Sequence, residues 1–170
     1  KYFARPLEDV IYELSHIKEK EIYIIDDDFL ISVARTEQFI RLLKERGLKK
    51  KFLAYGRADF IAGNPDLIKR FKEAGLRTVI VGLESFEDTE LVSFNKQTNG
   101  NTNIQAMNVL NKHKVDCYAA VIISPSWDQV DFKKAGDIML KLGIRFVNLQ
   151  PLTPLKGTGL EFSEDRLVVK

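Results

Sequence analysis

The feature that most constrains this chain is the run Val79-Ile80-Val81-Gly82-Leu83, which ends abruptly in Glu84 and Ser85. A strand wet on one face would alternate apolar and polar residues. This one is apolar at successive positions, as in a parallel strand covered on both faces. Polar groups at the C-terminal end of such a strand stand where α/β folds gather their ligands. Four further segments repeat the design: Ile22 to Ile25 before Asp26-Asp27-Asp28, Phe52 to Tyr55 before Gly56-Arg57-Ala58-Asp59, Cys117 to Ile123 before Ser124-Pro125-Ser126, and Arg145 to Leu149 before Gln150.

Helical periodicity fills the intervals. Leu7, Val10, Ile11, Leu14 and Ile17 mark a helix over Leu7 to Lys20, with Pro6 suited to its first turn and Glu8 and Asp9 at the positive end of its dipole. Further helices are predicted over Thr36 to Arg46, closed by Gly47, and over Leu67 to Ala74, opened by Asn64 and Pro65 and ended by Gly75. Two more span Asn103 to Lys114, with Thr102 as a candidate cap, and Gln129 to Leu142, closed by Gly143. Phe86 to Asn101 reads as a polar loop with some helix. Pro151 and Pro154 stop regular structure, and residues 160–170 read as a partial helix or tail.

Strand starts recur at intervals of roughly 30 residues, the size of one βαβ unit. The alternation predicts an α/β fold with a parallel sheet of about five strands, and each connection is long enough for a right-handed helical crossover. An open sheet and a barrel both satisfy the pattern, although five strands are too few to close an eight-stranded barrel. No composition break divides the 170 residues, so 1–170 is read as one domain.

Composition narrows the function class. The net charge of +2 gives no argument for nucleic acid, and Lys49-Lys50-Lys51 falls between a helix and a strand, where a solvated turn is expected. Cys117 is the one cysteine; it rules out an internal disulfide framework and suits a reducing cytoplasm. Within a strand it is expected to serve packing. His16 and His113 fall on or near polar helix faces and read as surface residues. No apolar run reaches membrane-spanning length, and no signal peptide is recognisable. The first residue is Lys1 rather than Met, as at a processed, trimmed or excised boundary.

Because parallel strands point the same way, the groups at their C-terminal ends should converge: Asp26, Asp27 and Asp28, then Arg57 and Asp59, then Glu84 and Ser85, then Ser124, then Gln150. Carboxylates for an ammonium, with Arg57 or Ser85 for a carboxylate, would suit a zwitterionic ligand. Plainer roles stand beside these. The three aspartates also suit a solvated turn, Arg57 also suits a structural pair with Asp59 or Glu84, and Ser85 also suits a helix cap. Nothing has metal-ligand spacing, and there is neither a Gly-rich phosphate loop nor a Ser/His/Asp set.

Taken in order, several stretches resemble the core of radical S-adenosylmethionine enzymes, especially the branch that often carries a cobalamin-binding domain upstream. They are Tyr23 to Phe29, Gly56 to Asp59, Phe71 to Gly75, Val81 to Phe86, Asn95-Lys96-Gln97-Thr98 and Leu149 to Pro154, so the match runs from about Arg5 to Leu160. The resemblance implies a partial barrel of six βα units, here missing its first strand. It implies S-adenosylmethionine as ligand, a 4Fe–4S cluster in the parent protein, and possibly cobalamin in an upstream domain. The reaction implied is cleavage of the sulfonium to a 5′-deoxyadenosyl radical, which abstracts a hydrogen atom from a substrate the sequence does not identify.

The resemblance also implies roles. Asp26 to Asp28 would meet the methionine amino group, where many members have Gly-Gly-Glu. Glu84 and Ser85 would face the methionine carboxylate or the ribose, with Arg57 nearby. Ile122, Ile123 and Ser124 would run along the adenine, closed by Leu149 and Gln150. Two departures accompany these roles. The family's Cys-x3-Cys-x2-Cys loop is missing, so the sequence reads as a core fragment, inactive by itself. Ser124-Pro125-Ser126-Trp127-Asp128 stands where many members have Gly-x-Pro-Gly-Glu, and a serine limits how closely backbone approaches a ligand.

Two other readings use the same residues. A divalent-metal hydrolase or lyase would use Asp26 to Asp28, Asp59 and Glu84 as oxygen ligands. A non-catalytic scaffold derived from such a core would bind no S-adenosylmethionine. With the first strand of the partial barrel missing, Ile22 to Ile25 would become an exposed edge that favours dimerisation or aggregation.

Overall fold

A computed structural model describes residues 4–86, 91 and 100–153. Helix α1 (Leu7–His16) leads into β1 (Glu21–Tyr23), then α2 (Val33–Glu45) and β2 (Lys51–Tyr55). Two helices, α3 (Ala58–Gly63) and α4 (Pro65–Ala74), precede β3 (Leu76–Glu84). Helix α5 (Gly100–Lys112), β4 (Asp116–Ile123), α6 (Gln129–Lys141) and β5 (Phe146–Pro151) complete the described order. The five strands run in sequential order β1-β2-β3-β4-β5, and every neighbouring pair is parallel. Right-handed crossovers in sequential order put every helix on one side. The sheet therefore curls into a partial TIM-like barrel, helices outside and a concave face within.

The pleat divides the apolar run between those two faces. Ala54, Val79 and Cys117 share one register row and Val81 and Ala119 another, and all five are buried. This convex face meets the helices, where Phe29, Phe39, Phe52 and Phe71 stack with ring centroids 5.2–6.1 Å apart. The other face carries Tyr55, Ile80, Tyr118 and Phe146 in one row and Gly82, Ala120 and Asn148 in the next. Tyr118 and Phe146 remain 37% and 50% exposed.

Local chemistry explains most of the boundaries. Gly47 and Gly143 follow α2 and α6 at φ of 62° and 69°. The Leu48 amide reaches back to the Leu43 carbonyl and the Ile144 amide to the Met139 carbonyl, the six-to-one bonds of a glycine helix stop. Pro65 occupies the first turn of α4, as predicted. Asp128 and Asp131 form a reciprocal capping box at the start of α6.

Several boundaries differ from the sequence reading. Helix α1 ends at His16, because Ile17 is already extended, and Pro6 is its N-cap rather than part of its first turn. Helix α2 begins three residues earlier than predicted, with the Ser32 hydroxyl accepting from the Arg35 amide. Thr102 lies inside α5 instead of capping it, and α5 stops two residues before Lys114. Pro151 continues β5, paired in register with Ile123. An outermost strand can carry a proline, because its missing N–H leaves no neighbour unpaired. Strand β1 stops at Tyr23 and Ile25 is 84% exposed, so the edge is only three residues long. Short edges are one way proteins discourage pairing with other chains. The stretches 87–90 and 92–99, the Asn95 to Thr98 motif, Pro154 and the segment 160–170 lie outside the described residues.

Candidate functional site

The site begins at the two strand ends whose backbones depart most from regular strands. At the first, Tyr23 pairs with Leu53 and the Ile24 amide still donates to the Leu53 carbonyl at 2.9 Å. The chain then leaves the sheet and rejoins it only at Leu30, which bridges to Gly56. The partner strand advances three residues over the same interval, so Asp26, Asp27 and Asp28 sit on an excursion above the sheet edge rather than at a strand end. Gly56 permits the rejoining: a Cβ there would lie 2.7 Å from Leu30 Cδ1.

The excursion is built around Asp26, whose Oδ1 accepts the Asp28 amide at 3.1 Å in a local turn. Asp27 is exposed. Asp28 is half-buried, and its Oδ1 is buried without a hydrogen-bond partner. Burial pushes the Asp28 carboxyl above its ordinary value; the charges of Asp59 and Asp26 add to the rise, and Arg57 opposes it. A buried acceptor without a donor is costly, and a cation or N–H group arriving there would relieve the cost.

Arg57 is committed elsewhere. Its Nε and Nη2 donate to the Asp59 carboxylate at 3.0 and 2.7 Å, the structural pair that the sequence left open. The pair holds the Asp59 carboxyl below its ordinary value and raises Arg57. Asp59 also accepts the Phe60 amide at 2.8 Å, within the short helix α3 that the sequence reading did not foresee.

The second strand end is Glu84, a non-glycine residue at φ 61°. The Ser85 amide donates back to the Leu83 carbonyl at 2.7 Å, closing a three-residue turn centred on Glu84. Such a conformation costs about 1–3 kcal/mol and persists only where its surroundings enforce it. Both sides of the turn are held by Asn103 of α5, a buried residue the sequence reading passed over. Its Nδ2 donates to the Leu83 and the Ser85 carbonyls, at 2.9 Å each. Glu84 is half-buried and Ser85 buried.

The remaining predicted residues lie on β4 and β5. The Ile123 carbonyl accepts the Leu152 amide at 2.9 Å, and Ile122 is in register with Gln150. Beyond Ile123 the chain turns through Ser124, whose carbonyl accepts the Trp127 amide at 3.0 Å. The Ser124 and Ser126 hydroxyls lie 2.8 Å apart. On the concave face, the Tyr23 hydroxyl donates to the Tyr55 hydroxyl at 2.8 Å, which raises the Tyr23 pKa.

Among the described residues the carboxylates do not gather into a cation site: no three His, Cys, Asp or Glu side chains come together as a metal-binding group. Asp59 is occupied by Arg57, so the oxygen-ligand set of the hydrolase reading is not assembled. The 4Fe–4S cluster is expected in the parent protein only, since the Cys-x3-Cys-x2-Cys loop is missing from this sequence. Cys117 is buried in β4 and burial, aided by the charge of Asp116, pushes its thiol up to about 12, whereas an iron–sulfur ligand is a thiolate. The described residues therefore do not fit a 4Fe–4S cluster. Among them, no helix is long and apolar enough to cross a membrane.

No family model matches the chain. Hopanoid C-3 methylase from Methylococcus capsulatus is 24% identical over 165 residues, covering 97% of this chain and 32% of the methylase. The chain thus spans about a third of that relative's length. Among solved structures, the cobalamin-dependent S-adenosylmethionine radical enzyme OxsB superposes with a TM-score of 0.66 at 20% identity, over 78% of this chain and 21% of OxsB. TsrM from Kitasatospora setae, a radical S-adenosylmethionine methyltransferase, gives a TM-score of 0.68 at 14% identity, over 86% of this chain and 31% of TsrM. In fold, the chain is similar to the core of radical S-adenosylmethionine enzymes.

Proposed function

We propose that this chain binds S-adenosylmethionine across the C-terminal ends of β1 to β5, as the core of a larger radical enzyme. The observation that carries the reading is the buried, unpartnered Oδ1 of Asp28 above the sheet edge. An ammonium group supplies the donor that this acceptor lacks, and it favours the ionised form that burial disfavours. Asp28 is accordingly assigned to the methionine amino group, with Asp26 shaping the turn and Asp27 in the outer, solvated position.

Elementary electrostatics divides the other groups. Glu84 is a carboxylate and would repel the methionine carboxylate, so the ribose hydroxyls are its better partners. Arg57 turns Nε and Nη2 to Asp59, which leaves it a secondary positive charge beside the ligand. Ser85 contributes the backbone that holds Glu84. The adenine is assigned to the β4 and β5 ends, along Ile122, Ile123 and Ser124, with Gln150 beside Ile122 in register. S-adenosylmethionine held there would supply a sulfonium that, given one electron from a reductant outside the described residues, can yield methionine and a 5′-deoxyadenosyl radical able to take a hydrogen atom from substrate. The protein's part is to orient the ligand and exclude water.

Equilibrium binding of S-adenosylmethionine to the full-length protein under anaerobic conditions tests this reading. Asp28→Asn should weaken binding at least tenfold, because the amide keeps the shape but loses the charge that meets the ammonium. Unchanged affinity in Asp28→Asn would remove the assignment. The larger reaction is tested by adding dithionite to the full-length protein after anaerobic treatment with iron and sulfide. Formation of 5′-deoxyadenosine is expected; none, from protein that binds the ligand, would leave a binding module in place of an enzyme.

A further inference from the structure

We infer that Asn103 is the positioning residue of the ribose-side wall: it holds Glu84 in its left-handed turn and so sets affinity for the adenosine portion of the ligand. The inference rests on the assignment of Glu84 to that ligand. Asn103 lies in the first turns of α5, fully buried, and its single amide nitrogen donates to the carbonyls on both sides of Glu84, Leu83 and Ser85, at 2.9 Å each. Between those anchors the Ser85 amide turns back on the Leu83 carbonyl at 2.7 Å, and Glu84 is left at φ 61°. A glutamate side chain has no intrinsic preference for that region.

The other half of the Asn103 amide argues that the residue serves the turn. Its Oδ1 is buried with no hydrogen-bond partner. A buried polar side chain satisfied on one side only is a poor way to fill a core, where an apolar residue of similar volume would avoid the desolvation cost. What leucine in its place could not do is donate to two carbonyls at once. The geometry therefore couples the first turns of α5 to the β3 strand end through one side chain, 18 and 20 residues distant in sequence from the two carbonyls it grips.

Conformational coupling separates a clamp from an ordinary buried hydrogen bond. Glycine adopts φ near 60° without strain, so Glu84→Gly should make the clamp dispensable for folding. In the full-length protein, Asn103→Ala should shift the urea unfolding equilibrium at least tenfold when residue 84 is Glu, and less than threefold in the Glu84→Gly background. Equal shifts in the two backgrounds would overturn the clamp. If Asn103→Ala does not fold, folding of the Glu84→Gly, Asn103→Ala double variant supports the clamp. In that case failure of the double variant while Glu84→Gly alone folds overturns it.

Asn103→Asp, of the same shape but without the two N–H donors, carries the functional half. It should weaken S-adenosylmethionine binding at least tenfold in protein whose circular dichroism is that of the wild type, and Glu84→Gly should restore none of that affinity. Wild-type affinity in Asn103→Asp would overturn the positioning role. Should the wild-type protein itself bind no S-adenosylmethionine, the ligand assignment fails, while the unfolding comparison still decides whether Asn103 clamps the turn.

Discussion

The two faces of the sheet are made from one apolar run yet meet different demands. On β3, Val79, Val81 and Leu83 point to the helices and are fully buried, while the alternate residues Thr78, Ile80, Gly82 and Glu84 are only half-buried on the described chain. The convex face is a packed core, where Phe39, Phe52 and Phe71 interlock under α2 and α4. The concave face is an open wall, aromatic at mid-height and small at Gly82 and Ala120. Continuous hydrophobicity in a parallel strand therefore marks coverage on both sides without saying by what. One side here is covered by the chain's own helices, and the other is half-buried among the described residues.

Removing a ring from the convex face is the strongest way to sharpen this contrast. Phe71→Ala should cost about 3–5 kcal/mol, through lost burial and the cavity left behind. Tyr118→Ala on the concave face should cost within about 1 kcal/mol, since that ring is substantially exposed. Urea denaturation of both variants measures the difference, and comparable losses would mean that the two faces are one core.

Asp28→Asn should have an intermediate effect of opposite sign. The Asp28 carboxyl is raised by burial, so the native state holds its proton more tightly than the unfolded chain does. Its contribution is most favourable below the ordinary carboxylate value of about 3.9 and declines as pH rises through the raised native value. Asparagine removes that decline. The variant should melt higher than wild type at pH 7, with the gain vanishing near pH 3, while binding S-adenosylmethionine more weakly. A residue whose replacement stabilises the fold and weakens the ligand is the signature expected of a site. Melting curves at the two pH values check it, and a lower melting temperature at pH 7 would argue that Asp28 serves the fold.

The smallest effect belongs to the Arg57–Asp59 pair. Both side chains are about half exposed, so Asp59→Asn should cost no more than about 1 kcal/mol, less in high salt. Because the Asp59 carboxyl is held low, its contribution is present above the ordinary carboxylate value and is lost as pH falls through the native one. Unfolding measured at pH 7 and in strong acid checks this direction. A loss of several kcal/mol would show that the pair braces the strand ends.

Much of this architecture is legible in the sequence because its causes are local. Gly47, Gly75 and Gly143 stop helices by adopting positive φ, Pro65 starts one, and the alternation of strand and helix leads to a parallel sheet with converging strand ends. What the sequence left open depends on residues far apart along the chain. Ile25 looks like the end of a strand, but β2 offers its pairing to Leu30 through Gly56, so Asp26 to Asp28 stand on an excursion. Arg57 had several candidate partners, and the start of α3 brings it Asp59. Asn103 is an unremarkable helix residue by pattern, and no local signal marks Glu84 for a left-handed turn. Only the tertiary fold brings Asn103, at the start of α5, to the two carbonyls that flank Glu84, because a hydrogen bond across some twenty residues exists only once the crossover has folded.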